Sequence, residues 1–255
     1  MPIMLRHFLL AIQFLTRLPV PGGLRTIEEQ LGKAAGFFPL VGVIVGGSGA
    51  IVFVLTKSLA PLSVAVLLAL AFVTFLTNAF HEDGLADTFD GFGGGWTRER
   101  ALEIMRDSRV GTFGALALVF LILGKYNLLS SLPQPQIWRW FIVAHTAARW
   151  TTLPLCAALP YARAEGQGKL VARQVGLMEL TIATITMLVA LLLLLPWRAT
   201  IAALIAMTFM ALLTGIYYKA RLQGITGDCL GATNQLTEVS MYLTALVLLR
   251  FGFIQ

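Results

Sequence analysis

Four carboxylates stand close together in the segment 81–91, which reads His-Glu-Asp-Gly-Leu-Ala-Asp-Thr-Phe-Asp-Gly. The segment follows a long apolar run in a chain that is only 13% charged, and seven of the 13 acidic residues fall between Glu82 and Asp107. Carboxylates this close repel one another beside a membrane unless a cation lies among them. Because Mg²⁺ binds through one or two carboxylates together with substrate phosphates, the segment predicts a metal-dependent enzyme that acts on a phosphorylated substrate at a membrane surface.

The three aspartates of this segment have a regular spacing. Asp83, Asp87 and Asp90 stand at i, i+4 and i+7, which stacks them on one face if the preceding apolar helix continues past the membrane. We predict that they bind the metal and act in catalysis. His81 or one aspartate is the candidate acceptor for the nucleophile's proton, although His81 is equally suited to cap a helix or support a ligand. A solvated charged loop is the alternative, but acidic clusters beside a membrane are usually functional.

Glycines after the aspartates predict where their helix ends. Gly91 and the run 93–95 break the helix, and Thr97 is suited to cap a second, amphipathic helix that continues to Arg106. The glycine run is not a nucleotide-binding P-loop, because it lacks the preceding strand and the Lys-Ser/Thr pair.

Arginines near the acidic segment are candidates to bind substrate phosphate. Arg106 and Arg109 flank Asp107, and guanidinium groups bind phosphate through paired hydrogen bonds. Asp107, like Asp228 further along, is a candidate to contact the substrate or to complete a second metal site. Arg163, another candidate, stands in a polar loop for which a linker that serves membrane topology is an equally good interpretation.

A second polar motif spans 219–238 and leads into the last apolar stretch. Asp228, Asn234 and Glu238 are its candidate substrate-binding residues, because polar groups within a span tend to face the bundle interior or a wet cavity. The alternative is structural: Asp228 caps the helix, and the amides of Asn234 and Gln235 hold helices together.

One arginine falls inside an apolar stretch. Arg149 follows His145 at i+4, so the two share a helix face. A buried arginine needs an anion, and a protein carboxylate such as Glu238 and a substrate phosphate are equally good candidates. His145 is better explained as a hydrogen-bonded structural residue than as a base.

The composition places these groups in a membrane protein. The mean hydropathy is +0.79 and 57% of the residues are hydrophobic, outside the range of soluble domains. A helix crosses the bilayer with about 20 apolar residues. We therefore predict an all-α fold, a polytopic bundle of about seven transmembrane helices, as one integral-membrane domain over 1–255. The candidate spans are 35–56, 61–80, 110–129, 139–160, 176–196, 199–218 and 229–249.

The basic residues predict how the bundle is oriented. Most of the 19 lysines and arginines fall on the same side of the predicted spans as the N-terminus, and such an excess marks the cytoplasmic side. We therefore expect the N-terminus and the acidic active-site loop 81–109 in the cytoplasm, with 1–33 lying along the membrane interface. This topology also accounts for the net charge of +6 without nucleic acid as a partner.

Six motifs occur in the same order as in a known family and are spread over nearly the whole chain. The chain resembles the cobalamin synthase family, the adenosylcobinamide-GDP ribazoletransferases. Ile225 departs from the family's usual glutamine, which puts any role of that position in doubt, and Glu82 occupies a variable position, so it is not counted as a ligand. The motifs are Phe14-x-Thr16-Arg17-Leu18-Pro19-Val20-Pro21, Phe38-Pro39-Leu40-Val41-Gly42, His81-x-Asp83-Gly84-Leu85-Ala86-Asp87-x-x-Asp90-Gly91, Leu102-Glu103-Ile104-Met105-Arg106-Asp107-Ser108-Arg109-x-Gly111-Thr112-x-Gly114, Tyr161-Ala162-Arg163-x-x-Gly166 and Thr226-Gly227-Asp228-x-Leu230-Gly231-Ala232.

The resemblance implies a multi-pass enzyme of the bacterial inner membrane, with its active face in the cytoplasm. A ribose hydroxyl of α-ribazole, or of its 5′-phosphate, attacks the β-phosphorus of adenosylcobinamide-GDP. GMP leaves, and adenosylcobalamin or its 5′-phosphate forms. The family requires Mg²⁺. Expected partners are these small-molecule substrates and membrane lipid; a homo-oligomer, or a complex with other enzymes of cobalamin assembly, is compatible with the sequence.

Two other functions stay open from the residues alone. A CDP-alcohol phosphotransferase of lipid synthesis shares the Asp83-Gly84-x-Ala86 core and the metal chemistry, but its full aspartate spacing is not present. A membrane transporter would line a pathway with polar groups and commonly has internal repeats, whereas the acidic motif has no second copy here. The product separates the three functions: GMP, CMP or no nucleotide.

Overall fold

The computed structural model describes residues 2–21, 28–163, 171 and 175–254. The apolar stretches form helices, which pair their backbone polar groups within one segment as a bilayer requires, and the predicted all-α fold is confirmed. The helices are α1 (Ile3–Leu15), α2 (Glu28–Ala34), α3 (Phe38–Thr56), α4 (Leu62–Leu76), α5 (Phe80–Gly94), α6 (Arg98–Ile104), α7 (Thr112–Ser130), α8 (Gln134–Ala158), α9 (Leu177–Leu194), α10 (Trp197–Leu222) and α11 (Gly227–Arg250).

Four helical segments among the described residues are long and apolar enough to cross a membrane: Gln30–Thr56, which joins α2 to α3, and the helices α7, α9 and α10. The bent pair of α4 and α5 would make a fifth. Helices α8 and α11, of 25 and 24 residues, are long enough but more polar. The chain is thus a helical membrane protein, but the count of seven spans is not confirmed. The cytoplasmic N-terminus and the interfacial position of 1–33 stay predictions.

Helix α8 lies inside the bundle, with most of its side chains buried. Helix α3 packs on it through small residues. A Cβ atom added to Gly42 would lie 2.4 Å from the His145 carbonyl oxygen, and one added to Gly46 would lie 2.7 Å from the Ile142 Cα atom. Small residues let membrane helices approach this closely, so α3 holds in place the helix that carries His145.

The acidic motif does not continue the helix before it. Helix α4 ends at Leu76, and Asn78 and Ala79 adopt left-handed backbone conformations with φ of 58° and 52°. This conformation is unfavourable for residues other than glycine. Arg17, in the N-terminal segment, stabilises this conformation. Its backbone N–H donates to Leu76 O (2.8 Å), and its side-chain Nε donates to Asn78 Oδ1 (2.8 Å). The helix before the motif therefore does not continue past the membrane: α5 is a separate helix at 87° to α4, and it contains all three aspartates of the motif.

Helix α5 is best placed outside the membrane-spanning segments. It turns away from α4 and carries four carboxylates within its 15 residues, and charged groups are expensive inside a bilayer. It ends at Gly94, and Thr97 caps α6 by accepting a hydrogen bond from the Arg100 N–H (3.3 Å). The predicted start of α6 at Thr97 is confirmed. Helix α5 continues through Gly91 and ends at Gly94, inside the predicted glycine run, and α6 ends at Ile104 rather than at the predicted Arg106.

Candidate active site

Helices α5 and α11 cross at two glycines, one from each polar motif of the sequence. A Cβ atom added to Gly84 would lie 3.0 Å from the Asp228 Cα atom and 3.3 Å from the Gly231 Cα atom. A Cβ atom added to Gly231 would lie 3.1 Å from the His81 carbonyl oxygen. Because neither helix has a side chain at this contact, the two backbones meet. The motifs 81–109 and 219–238 are thereby brought together.

Asp83, Asp87 and Asp228 form a carboxylate cluster beside this crossing. Burial, followed by the negative charges of Asp228 and Asp83, raises the pKa of Asp87 to about 7. Burial also raises the pKa of Asp228, against the opposing effect of Arg163. Carboxylates that disfavour one another's charged form attract a cation, and such groups are typical of functional sites.

Arg163 is brought to this cluster, with its Nη2 atom 2.6 Å from Asp228 Oδ2. A backbone bridge positions it: the Ala162 N–H donates to Ile225 O (2.8 Å), and the Ile225 N–H donates to Pro160 O (2.9 Å). Ile225 is fully buried, so the residue that departs from the motif serves packing and this bridge. The structure therefore places Arg163 where it can contact both the cluster and an anionic substrate.

Thr226, and not Asp228, caps helix α11. The Thr226 Oγ1 atom accepts a hydrogen bond from the Cys229 N–H (3.2 Å), which satisfies one of the free N–H groups at the helix start. The capping alternative for Asp228 is therefore wrong. A threonine before the Gly-Asp pair was the sequence signal for this cap, and it leaves the Asp228 carboxylate available to the cluster.

Asp90 binds the start of helix α7. Its Oδ2 atom accepts from the Gly111 N–H (2.7 Å), and its Oδ1 atom accepts from the Gly114 N–H (2.8 Å). The first N–H groups of a helix lack partners within the helix and carry partial positive charge, so a buried carboxylate is stabilising there. These contacts give Asp90 a structural role. They make Asp90 a weaker candidate for a metal ligand than Asp83 and Asp87.

The predicted phosphate-binding loop after α6 is exposed, and its charges pair with one another. Arg109 Nη2 lies 2.6 Å from Asp107 Oδ2, and hydrogen bonds from Arg109 lower the pKa of Asp107 to about 2. Arg106 is exposed as well. Within the described residues, no ion pair or hydrogen bond joins these three side chains to the carboxylate cluster. Their contacts with substrate stay predictions.

His81 and Asn234 lie next to the glycine crossing and line a small cavity. Both side chains are buried. Burial lowers the pKa of His81 to about 3, so His81 is a weak proton acceptor, and an aspartate of the cluster is the better candidate for that role. The Asn234 amide has no hydrogen-bond partner among the described residues, which is rare for a buried amide.

Glu238 belongs to a buried ion network that joins α7, α8 and α11. Its Oε2 atom lies 2.6 Å from Lys125 Nζ, and its Oε1 atom lies 2.8 Å from His145 Nδ1. Ten residues of α11 separate Glu238 from Asp228, which is about 15 Å along the helix axis. The structure thus favours a structural role for Glu238 over the predicted contact with substrate. Sequence analysis missed Lys125 as its partner, although a lysine inside an apolar span was the signal.

Two arginines that the sequence suggested only as topology signals hold the elements of the site together. Arg98 Nε donates to Leu222 O (2.7 Å), and Arg98 Nη2 donates to Ala162 O (3.0 Å). Arg221 Nη2 donates to Gly95 O (2.7 Å) at the end of α5. These bonds fasten the end of α10 to α5, α6 and the segment that carries Arg163.

A magnesium ion at the carboxylate cluster would have to share its coordination with substrate. In the part of the chain that is described, no group of three or more His, Cys, Asp or Glu side chains is placed so that it could hold a metal ion by itself. Mg²⁺ does not require one, because it usually binds one or two carboxylates together with water and substrate phosphates. The hard oxygen atoms and unbalanced charge of Asp83, Asp87 and Asp228 match that chemistry, and Mg²⁺ stays a prediction.

Comparison with known proteins agrees with the order of the motifs. Residues 7–247 match the cobalamin-5-phosphate synthase family. The chain belongs to this family. It is 42% identical to the adenosylcobinamide-GDP ribazoletransferase of Vibrio parahaemolyticus, over 93% of this chain and 90% of that protein. Proteins of the same name from Shewanella baltica and Shewanella amazonensis are each 41% identical, over 94% and 96% of this chain and 93% and 96% of theirs. No solved structure matches the chain significantly.

Membership of the cobalamin-5-phosphate synthase family confirms the resemblance found in the motifs. It also confirms that the chain is an enzyme, a transferase of cobalamin biosynthesis. The matched region contains the crossing of α5 and α11 and the whole carboxylate cluster, so the site described above lies within the part of the chain that defines the family.

Proposed function

We propose that the chain transfers the adenosylcobinamide phosphate moiety from adenosylcobinamide-GDP to α-ribazole or its 5′-phosphate. GMP is released, and adenosylcobalamin or its 5′-phosphate forms. The relatives' name, adenosylcobinamide-GDP ribazoletransferase, supports the two substrates. The family's description, cobalamin-5-phosphate synthase, supports a cobalamin as the product. The observation that carries the proposal is the contact between Gly84 and Gly231, because it assembles a carboxylate cluster suited to a metal and a pyrophosphate.

The residues of the cluster fit this chemistry. Donor and leaving group are both anions, so the barrier is largely electrostatic and positional. Asp83, Asp87 and Asp228 would hold Mg²⁺, which when bound offsets charge on the pyrophosphate and on the departing phosphate. Arg163, paired with Asp228, would donate to a phosphate oxygen and orient the donor. An aspartate would accept the proton of the ribose hydroxyl, since His81 is a weak acceptor.

The location of the enzyme is part of the same proposal. We infer a multi-pass protein of the bacterial inner membrane with the carboxylate cluster at the cytoplasmic face, because the basic residues concentrate on that side and nucleotide substrates are found there. Membrane lipid surrounds the spans. A homo-oligomer or a complex with other enzymes of cobalamin assembly stays open to experiment.

Product analysis tests the proposed function. The purified chain in liposomes receives adenosylcobinamide-GDP, α-ribazole or its 5′-phosphate, and Mg²⁺. We expect a cobalamin together with GMP, and loss of both products on addition of a chelator. Release of CMP from a CDP-alcohol in place of GMP would show a lipid phosphotransferase, and substrate movement without any nucleotide product would show a transporter.

A further inference from the structure

An apolar groove of about 560 Å³ lies between helices α5, α7, α10 and α11. Its volume falls in the range of roughly 300–1,000 Å³ that is usual for small-molecule sites. The chemistry derived for the carboxylate cluster uses none of its lining side chains, so this part of α5 has no role yet. Among the described residues that line the groove, the aromatic ones are Phe89, Phe92, Phe113, Tyr217 and Tyr218.

The aromatic side chains of the groove are held in place by their neighbours. The centroid of the Phe92 ring lies 5.0 Å from that of Tyr217, edge-on, and 6.0 Å from that of Tyr218. The Tyr218 hydroxyl donates to Cys229 O (3.0 Å). Rings that are fixed before binding offer stacking surfaces to a flat aromatic ligand at little cost in ordering.

One polar group of the groove lacks a partner. Thr88 is 3% exposed, and its hydroxyl has no hydrogen-bond partner within the described residues. A buried hydroxyl without a partner is rare and costly, and a ligand atom that accepts a hydrogen bond would satisfy it. A lipid acyl chain has no such atom, whereas an aromatic ring that contains nitrogen has a flat apolar surface and an acceptor together. Thr88 therefore favours a heteroaromatic ligand over lipid.

The groove shares two helices with the carboxylate cluster. On α5, Thr88 directly follows Asp87. On α11, Ala232 lines the groove and stands four residues after Asp228, which is about one helix turn, roughly 5.4 Å along the axis. One sugar is therefore long enough to connect a ring in the groove to a reacting group at the cluster.

We propose that the groove binds the aromatic base of the acceptor nucleoside, and that Thr88 donates a hydrogen bond to a ring nitrogen of this base. The inference rests on the proposed function, in which the acceptor is α-ribazole, a benzimidazole nucleoside, or its 5′-phosphate. With the base in the groove, the ribose lies toward Asp87 and Asp228, where the pyrophosphate belongs. The enzyme then selects its acceptor by the shape and polarity of the base.

Thr88→Val tests the hydrogen bond and keeps the shape of the side chain. In liposomes we expect the KM for α-ribazole to rise about three- to tenfold, the effect of one lost hydrogen bond. An indole analogue of α-ribazole, which has a C–H group in place of the free ring nitrogen, should have the same KM in both proteins. The melting temperature in detergent should stay the same or rise, because an unpartnered hydroxyl is removed. A purely structural Thr88 would give a lower melting temperature and an unchanged KM.

Phe89→Ala tests the stacking surface. We expect it to raise the KM for α-ribazole about tenfold. The matched control is Phe120→Ala on α7, because Phe120 is exposed and does not line the groove, and it should leave the KM unchanged. The free base 5,6-dimethylbenzimidazole should raise the melting temperature of the wild type and not that of Phe89→Ala, a readout that needs no turnover.

Three results would overturn the proposal. An unchanged KM in either groove variant, or no melting shift with the free base, would show that the base binds elsewhere. A melting shift of the wild type with added phospholipid, absent in Phe89→Ala and not produced by the free base, would assign the groove to an acyl chain. Absence of GMP from the wild type with every acceptor would remove the proposed function itself, whereas GMP release with unchanged KM values would overturn only the place of the base.

Discussion

Gly84 of α5 and Gly231 of α11 lie in backbone contact, with the Gly231 Cα atom 3.3 Å from the position that a Cβ atom on Gly84 would take. The contact joins two motifs that are far apart in the chain and places Asp83 and Asp87 beside Asp228. The chemistry of the site therefore depends on two residues that have no functional groups of their own.

Gly84→Ala should reduce activity about tenfold or more. The added methyl group meets backbone atoms of Asp228 at 3.0 Å, so α11 must shift, and small displacements of reacting groups are expensive in catalysis. The control is Gly124→Ala on α7, where an added Cβ atom meets nothing within 4 Å, and which should keep full activity. Equal activity of both variants, measured as GMP release per folded molecule, would show that the crossing does not set the geometry of the site.

Asp90→Ala should lower stability without changing the apparent affinity for Mg²⁺. The variant leaves the Gly111 and Gly114 N–H groups without their acceptor, and loss of such a helix-end contact costs about 0.5–2 kcal/mol. Thermal melting in detergent measures the loss, and titration of residual activity with Mg²⁺ measures the affinity. A large rise in the Mg²⁺ requirement with unchanged melting would instead make Asp90 a metal ligand.

Lys125→Met should be strongly destabilising, and a second substitution should partly reverse the effect. Removal of one partner of a buried ion pair costs about 3–5 kcal/mol, because the other charge is left alone. Lys125 is 2.6 Å from Glu238, so Lys125→Met with Glu238→Gln should melt at a higher temperature than Lys125→Met alone. If the two substitutions are additive in melting experiments, the pair is not coupled, and the structural role assigned to Glu238 fails.

The stability of the metal-free protein should carry a pH dependence that comes from Asp87. Its pKa is raised from 3.8 to about 7, so between these values the folded state holds a proton that the unfolded state has released. The free energy of unfolding contributed by Asp87 therefore falls as the pH rises through this range. Because Asp87 is partly exposed and solvent screens its charge, we expect a change of about 1–2 kcal/mol in the free energy of unfolding.

The lowered pKa of His81 acts in the opposite direction, so the quantity to measure is the difference in melting temperature between the wild type and Asp87→Asn. With EDTA present, the melting temperature of the wild type should fall relative to that of Asp87→Asn as the pH rises from 5 to 8. Addition of Mg²⁺ at pH 8 should reverse this relative fall. A difference that is independent of pH would mean that Asp87 titrates normally.

Helices were predictable from the sequence where apolar residues are continuous. The predicted spans 110–129 and 176–196 correspond to Thr112–Ser130 and Leu177–Leu194, because local composition decides such elements. The bend before α5 was not predictable, since Asn78 and Ala79 have no glycine-like preference and their backbone conformation depends on Arg17, some sixty residues away in the chain.

The candidate site was predictable as two motifs but not as one arrangement. Asp83, Asp87 and Asp228 were identified because carboxylates in an apolar chain are conspicuous. The division of roles was not visible, since Asp90 is satisfied by backbone N–H groups and Glu238 by a lysine from another helix. Tertiary packing determines which groups pair with these carboxylates, and the spacing of residues along the chain does not predict it.

The most direct test of the carboxylate cluster compares GMP release by the wild type, Asp83→Asn and Glu103→Gln in liposomes with saturating Mg²⁺. Glu103 is an exposed carboxylate paired with Arg100, so its substitution controls for loss of charge near the site. We predict that Asp83→Asn inserts and folds but loses activity by about a hundredfold or more, while Glu103→Gln matches the wild type. Normal turnover by Asp83→Asn would contradict the assignment of the cluster as the active site.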